Sequence, residues 1–194
     1  MGKGRLEAFS DGVLAIIITI MVLEMKVPHD DTMEELLKIG PVFMSYILSF
    51  IYIGIYWNNH HHLMHATQKI SGGAMWANNH LLFWLSLMPF ASGWMGENHF
   101  TKWPVVVYGV VLIMNSIAYY ILVRCLLKAN GKDSTLAKAL GSDLKGKVST
   151  VIYAVGIATA IFNTWISLAL YTVVAIMWLV PDSRIEKKLE EELR

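Results

Sequence analysis

Hydrophobic positions fall along the chain in long runs, and those runs predict helices of membrane length. The first, from Arg5 to Val27, reads RLEAFSDGVLAIIITIMVLEMKV. Pro28 closes it, and a polar stretch from His29 to Lys38 follows, with Thr32 placed to cap a short helix. Gly40-Pro41 opens a second run that ends in Asn58, Asn59, His60, His61 and His62. A third runs from about Ala74 to Met95, with a bend expected at Pro89. The fourth, Trp103 to about Leu127, is long and uninterrupted. The last apolar stretch, Val148 to Val180, would be about 50 Å as one helix, too long for one crossing. It is therefore split at Phe162-Asn163-Thr164. The expected architecture is an all-α integral membrane protein with six transmembrane helices, at about 5–27, 41–62, 74–95, 103–127, 147–162 and 164–181. A cytoplasmic helical tail follows over 182–194.

Charge orients these spans. Lys3, Arg5, Lys69, the loop from Arg124 to Lys147 and the basic residues of the tail all fall on one side, and the acidic first loop falls on the other. The positive-inside rule makes the basic side, and with it both termini, cytoplasmic. Trp57, Trp76, Trp94, Trp103 and Trp178 sit near proposed span ends, as an interfacial belt would. Composition agrees with a membrane protein: 55% of the 194 residues are hydrophobic, 16% are charged, and mean hydropathy is +0.48. A net charge of +1 gives no electrostatic case for nucleic acid. The single Cys125 cannot form an intrachain disulfide. A signal peptide competes for the first run, but no small-x-small cleavage site follows Leu23, and the first span is expected to serve as its own insertion signal.

The first span has an unusual feature. The uncharged interval between Asp11 and Glu24 covers only about 20 Å of helix against a hydrocarbon core of about 30 Å, so a carboxylate sits at or below the membrane surface. A carboxylate there points to function. At 100° per residue, Phe9, Gly12, Val13, Ile16, Thr19, Ile20, Leu23 and Val27 form one stripe, with Asp11 nearly opposite. The Asp11 face is expected to be buried against other helices. The aliphatic stripe packs, meets lipid or, if repeated about a symmetry axis, forms a constriction that gates by dewetting.

A polar cluster lies at the same depth: Asn58, Asn59, His60, His61, His62 and His65 at the end of span two, and Asn78, Asn79 and His80 at the start of span three. Buried polar groups need partners. The economical reading is one network in which Asp11 accepts from Arg5 and from a His or Asn of spans two and three, with Asn58, His61, Asn79 and His80 as its members. The alternative is a metalloenzyme: His61 and His65 stand at i and i+4, a chelating spacing. The histidine boxes of membrane di-iron oxidases need about eight histidines on one membrane face. Of the seven here, His29 and His99 fall on the other side, which leaves five. A small secondary transporter is a third class, though no internal repeat supports it.

Arg5-x-x-x-Phe9-Ser10-Asp11, heading an aliphatic first span, resembles the signature of the transmembrane protein 175 family of potassium channels, and YWNNHHHLMH and NNHLLFWLSLMPF resemble its second and third spans. The resemblance implies a six-span protein of the bacterial inner membrane that assembles as a homotetramer. It implies that the first helix of each protomer lines the pore, with Ile16 at the constriction and Thr19, Ile20 and Leu23 in the next layers. Arg5, Phe9, Ser10 and Asp11 pack away from the axis. It implies passage of potassium, with sodium passing less well, and no enzymatic activity, metal or cofactor. No carbonyl filter of the TVGYG type occurs in the sequence. Glu24, Asp30, Asp31, Glu34 and Glu35 lie near the expected outer mouth, either concentrating cations or forming an ordinary solvated loop.

Overall fold

The computed structural model describes residues 2–131, 133–140 and 144–179. Among them there are nine α-helices and no strand. Helix α1 covers Lys3–Leu23, α2 Met33–Lys38, α3 Gly40–His65, α4 Gly72–Ser86, α5 Met88–Glu97, α6 Lys102–Asn130, α7 Thr135–Leu140, α8 Leu144–Thr159 and α9 Thr164–Leu179. Helices α1, α3 and α6, of 21, 26 and 29 residues, are each long and apolar enough to cross a membrane, and α9 is a shorter apolar helix. The far end of the sixth expected span, Val180 and Pro181, and the expected helical tail over 182–194 lie outside the described residues.

Local chemistry sets the boundaries. The hydroxyl of Thr32 accepts from Glu35 N at 3.3 Å and so caps α2, which also carries Glu34 and Glu35 in its first turn and Lys38 in its last. Pro41 falls in the first turn of α3, where its missing N–H costs nothing. The third apolar run, expected as one bent helix, is two. It breaks at Leu87, so that Pro89 occupies the first turn of α5 instead of the interior of a continuous helix. The last apolar run also breaks, between Thr159 and Thr164, where Asn163 Oδ1 accepts from Trp165 N at 2.9 Å. The basic segment expected as loop begins on α6, which continues through Asn130 and so includes Arg124 and Lys128.

The helices pack as a bundle. Helix α4 lies against α6, α3 against α5, α6 against α8, α8 against α9, and α1 against α3, α4 and α5. Small residues permit the closest approaches, as is usual where apolar burial alone gives helices no reason to associate. Gly109 of α6 and Gly156 of α8 both face the ring of Tyr171 on α9, which is buried and donates from Oη to Val105 O at 3.5 Å. Gly96 of α5 similarly lies against the backbone of Val42 on α3. Short polar side chains fill the gaps: Ser49 on α3 donates to Ser92 on α5 at 2.9 Å and meets Tyr108 Oη on α6 at 3.0 Å. At the other end of α6, Asn130 accepts from Gln68 N and Lys69 N at 3.0 and 2.8 Å and ties down the α3–α4 connection.

A Cβ at Gly109 would collide with the Tyr171 hydroxyl and Ile157, neither of which can withdraw from the packed junction. Gly109→Ala is expected to cost about 1–3 kcal/mol through overpacking. Thermal unfolding in detergent checks this: Gly109→Ala should melt clearly below the wild type, whereas Gly12→Ala, whose Cβ would meet nothing within 4 Å, should not.

Candidate pore helix and its anchoring network

Helix α1 carries three faces about 120° apart on a helical wheel. The first is fully buried and consists of Leu6, Ser10, Leu14, Ile17 and Met21. The second is the aliphatic stripe, and it is open: Ile16, Ile20 and Leu23 are 59%, 41% and 76% exposed, and Phe9, Gly12 and Thr19 are exposed as well, while Val13 is half-buried and Val27 lies beyond the end of the helix. The third carries Asp11, which is half-buried at the edge of the packed surface. The expectation that Asp11 marks the buried face therefore shifts by one position. Ser10 is the residue that enters the interior, because its small side chain lets α1 approach α4 closely.

Ser10 anchors a chain of hydrogen bonds. Asn78 Nδ2 on α4 donates to Ser10 Oγ at 2.9 Å, and Asn78 Oδ1 pairs with His60 Nε2 on α3 at 2.8 Å. Ser10 Oγ in turn donates to Leu6 O at 2.9 Å. All three side chains are buried. Because Asn78 spends its amide N–H on Ser10, its oxygen faces His60, and His60 Nε2 is the donor in that pair. This chain fixes the rotation of α1 against α3 and α4, and so fixes which way the stripe points.

The other expected members of the network stand apart from it. Asp11 accepts from Trp57 Nε1 at 3.1 Å, so Trp57 is a partner of the motif aspartate and not only part of an interfacial belt. Arg5 is exposed. His61 Nδ1 lies 3.2 Å from Glu7 Oε1, on the outside of the bundle. Asn58 is half-buried and Asn79 exposed. His80 accepts from Trp84 Nε1 at 3.0 Å, one turn along its own helix. Helical phase separates the true members from their neighbours: Asn78 shares its phase with buried Ala74, Leu81 and Leu85, while Asn79 follows exposed Trp76 and Phe83. His60 likewise shares the buried phase of Ile53 and Met64.

The histidines do not converge. His61 and His65 stack with ring centroids 6.3 Å apart, and among the described residues no group of three or more His, Cys, Asp or Glu side chains is placed to hold a metal. On the open face, Thr19 donates its hydroxyl to Ile16 O at 2.9 Å, so the stripe presents an oxygen lone pair and not a free O–H. Ile16 and Ile20 also border a cleft of about 530 Å³ between α1 and α5, which Glu24 and Glu97 flank. Lys26 pairs with Glu97 at 3.1 Å.

Comparison with known proteins places this geometry. A family model described as the endosomal/lysosomal potassium channel TMEM175 matches residues 5–89. A potassium channel of Chryseobacterium sp. is 55% identical over 191 residues, covering 98% of this chain and 100% of that protein. A potassium channel of Streptomyces collinus is 31% identical over 125 residues, covering 60% of this chain and 61% of that protein. The crystal structure of a lysosomal potassium-selective channel TMEM175 homolog from Chamaesiphon minutus superposes with a TM-score of 0.80 at 27% identity, covering 92% of this chain and 96% of that one.

The segment matched by the family model contains all of Ser10, His60 and Asn78. Removing the middle member leaves His60 Nε2 without its partner and Ser10 with only its bond to Leu6 O, at a cost of about 1–3 kcal/mol. Asn78→Leu should therefore lower the melting temperature in detergent more than Ser10→Ala, which breaks one bond of the chain. The double variant should fall short of the sum of the singles by more than about 0.5 kcal/mol, as for residues of one network. Additive losses would show that the three side chains do not act together.

Proposed function

The chain belongs to the TMEM175 family of potassium channels, and from that premise we propose that four copies conduct potassium through a pore lined by α1, with Ile16, Thr19, Ile20 and Leu23 facing the axis. The chain is an ion channel and not an enzyme. The observation that carries the finer reading is the open aliphatic stripe on a helix whose opposite surfaces are pinned. Each of the exposed side chains at Ile16, Ile20 and Leu23 lies three or four residues from the next, so fourfold repetition turns them into stacked rings.

Such rings cannot coordinate a dehydrated cation. Selectivity then rests on ring width, on the water and Thr19 oxygens held between rings, and on the hydration energy that each ion sheds. Sodium holds its water more tightly than potassium, so a narrow apolar ring favours potassium by a modest margin. Closure needs no lid, because a small inward movement of branched side chains expels the water that an ion needs.

In this reading each protomer crosses the bacterial inner membrane six times, with both termini cytoplasmic. Helices α4 and α5 together form the broken third crossing, and α8 and α9 form the fifth and sixth. Ser10 and Asp11 pin the cytoplasmic end of α1 on its sides away from the axis, through Asn78 and Trp57, while Phe9 lies on the open stripe and Arg5 is exposed. Asn58, His61, Asn79 and His80 support the same end from outside the buried chain. The aliphatic and aromatic surface away from the axis meets lipid.

Purified protein in liposomes tests this directly. Potassium flux should exceed sodium flux under equal gradients. Ile16→Asn should raise total flux several-fold and bring the two ions closer together, because a polar ring stays wetted. Absence of flux in the wild type, or unchanged flux and ion ratio in Ile16→Asn, would contradict the proposal.

A further inference from the structure

Two residues account for every buried side-chain nitrogen or oxygen without a hydrogen-bond partner among the described residues: His60, at Nδ1, and Asn115, at both atoms of its amide. The surrounding interior is otherwise satisfied. Ser49, Ser92 and Tyr108 bond one another, Tyr52 Oη donates to Tyr171 O at 2.6 Å, and Tyr119 Oη donates to Asn59 O at 3.2 Å. Unmatched groups are therefore not a general property of this core, and a bare amide so deep is expensive.

The helix faces that carry the two residues are linked by hydrogen bonds from α6 to α3. Asn115 lies on α6 with Tyr108 seven residues before it and Tyr119 four after it, all on one helical face. Tyr108 reaches Ser49 of α3, and Tyr119 reaches the carbonyl of Asn59, the residue immediately before His60. Asn115 is thus bracketed by two side chains that cross to α3, one helical turn from the tyrosine that reaches the residue beside His60. Asn115 is 0% exposed and His60 2%.

The chemistry of the orphaned atoms defines what fits between them. His60 gives its Nε2 proton to Asn78, so in the neutral ring Nδ1 is a bare acceptor. Asn115 offers two donor hydrogens and one acceptor oxygen. No charged group belongs to this set. A neutral ligand that both donates and accepts satisfies it, and a cation, facing the amide hydrogens, does not. We propose that His60 Nδ1 and the Asn115 carboxamide together hold buried water between α3 and α6. Water donates to Nδ1 and exchanges hydrogen bonds with the amide, within the usual two to four bonds of an internal water. The chain that begins at the motif serine of α1 then runs through Asn78 and His60 to end on α6, so four helices share one network. Amides pass on a hydrogen bond but do not relay a proton at neutral pH. The chain therefore orients helices and does not carry protons.

Solid-state NMR on full-length protein labelled with ¹⁵N-histidine in liposomes tests this. The His60 signal is the one lost in His60→Gln. In the wild type it should show an unprotonated Nδ1 and magnetisation transfer from water, although the ring is shielded from bulk solvent. In Asn115→Leu the transfer should be lost and the Nδ1 shift should move, and in Asn115→Ser, which keeps a hydroxyl and room for water, the transfer should persist. No water contact in the wild type overturns the proposal, and that measurement needs no variant. A contact and Nδ1 shift that are unchanged in Asn115→Leu also overturn it, as does a higher melting temperature in that variant, the outcome for a dry, unpaired amide.

Discussion

The structure depends on the hydrogen bonds that hold α1 by one face. Ser10, Asn78 and His60 come from three helices and are buried together, shielded from bulk solvent. Apolar packing of Leu6, Leu14, Ile17 and Met21 would by itself tolerate rotation of α1 by a fraction of a turn, since lipid and protein interior are equally apolar. A directional bond at Ser10 does not tolerate it. The geometry of one serine thereby decides that Ile16, Ile20 and Leu23 stay outside the bundle. An aliphatic ring at a pore axis needs that constraint, because a small rotation of each copy would change its width.

The remainder of the bundle stiffens this arrangement. The glycines at 109 and 156 bring α6 and α8 onto Tyr171 of α9, and the α4–α5 break at Leu87 lets α5 pack separately against α3. The site is thus supported on both sides: α4 holds the amide that binds Ser10, and α5 lies against the far end of α1 beside Ile16 and Ile20. Family membership and the fold agree with this division between a matched first half and a supporting second half. The family model covers residues 5–89, while the structural likeness to the Chamaesiphon channel homolog extends over 92% of the chain.

Much of this was legible in the sequence. Long apolar runs marked the helices, Thr32 marked its cap, and Phe162-Asn163-Thr164 marked the last break, because each rests on local backbone chemistry. The stripe on α1 was legible as well, since it follows from helical period alone. The network was legible only in part. Asn78 and Asn79 are adjacent and chemically identical, as are His60 and His61, and nothing local separates them. What distinguishes them is which side of the helix faces a neighbour, and that is a tertiary fact. Asp11 drew attention because charge in an apolar span is costly, yet the neutral residue before it makes the buried contact, and an indole, Trp57, makes the bond to the carboxylate. Asn115 lay within a span with no other distinguishing feature, and its unpaired amide becomes visible only once the bundle is packed around α6.

An aliphatic stripe facing lipid and one facing a narrow pore have the same composition, so the decisive question is whether Ile16 reaches water shared by several copies. Cysteine accessibility answers it most directly. In a Cys125→Ser background, Ile16→Cys and Leu14→Cys channels in liposomes would be exposed to a small water-soluble thiol reagent while potassium flux is followed. Flux should be blocked in Ile16→Cys and spared in Leu14→Cys, whose position is buried inside the protomer. Equal insensitivity of both, with flux intact, would contradict a pore lined by α1.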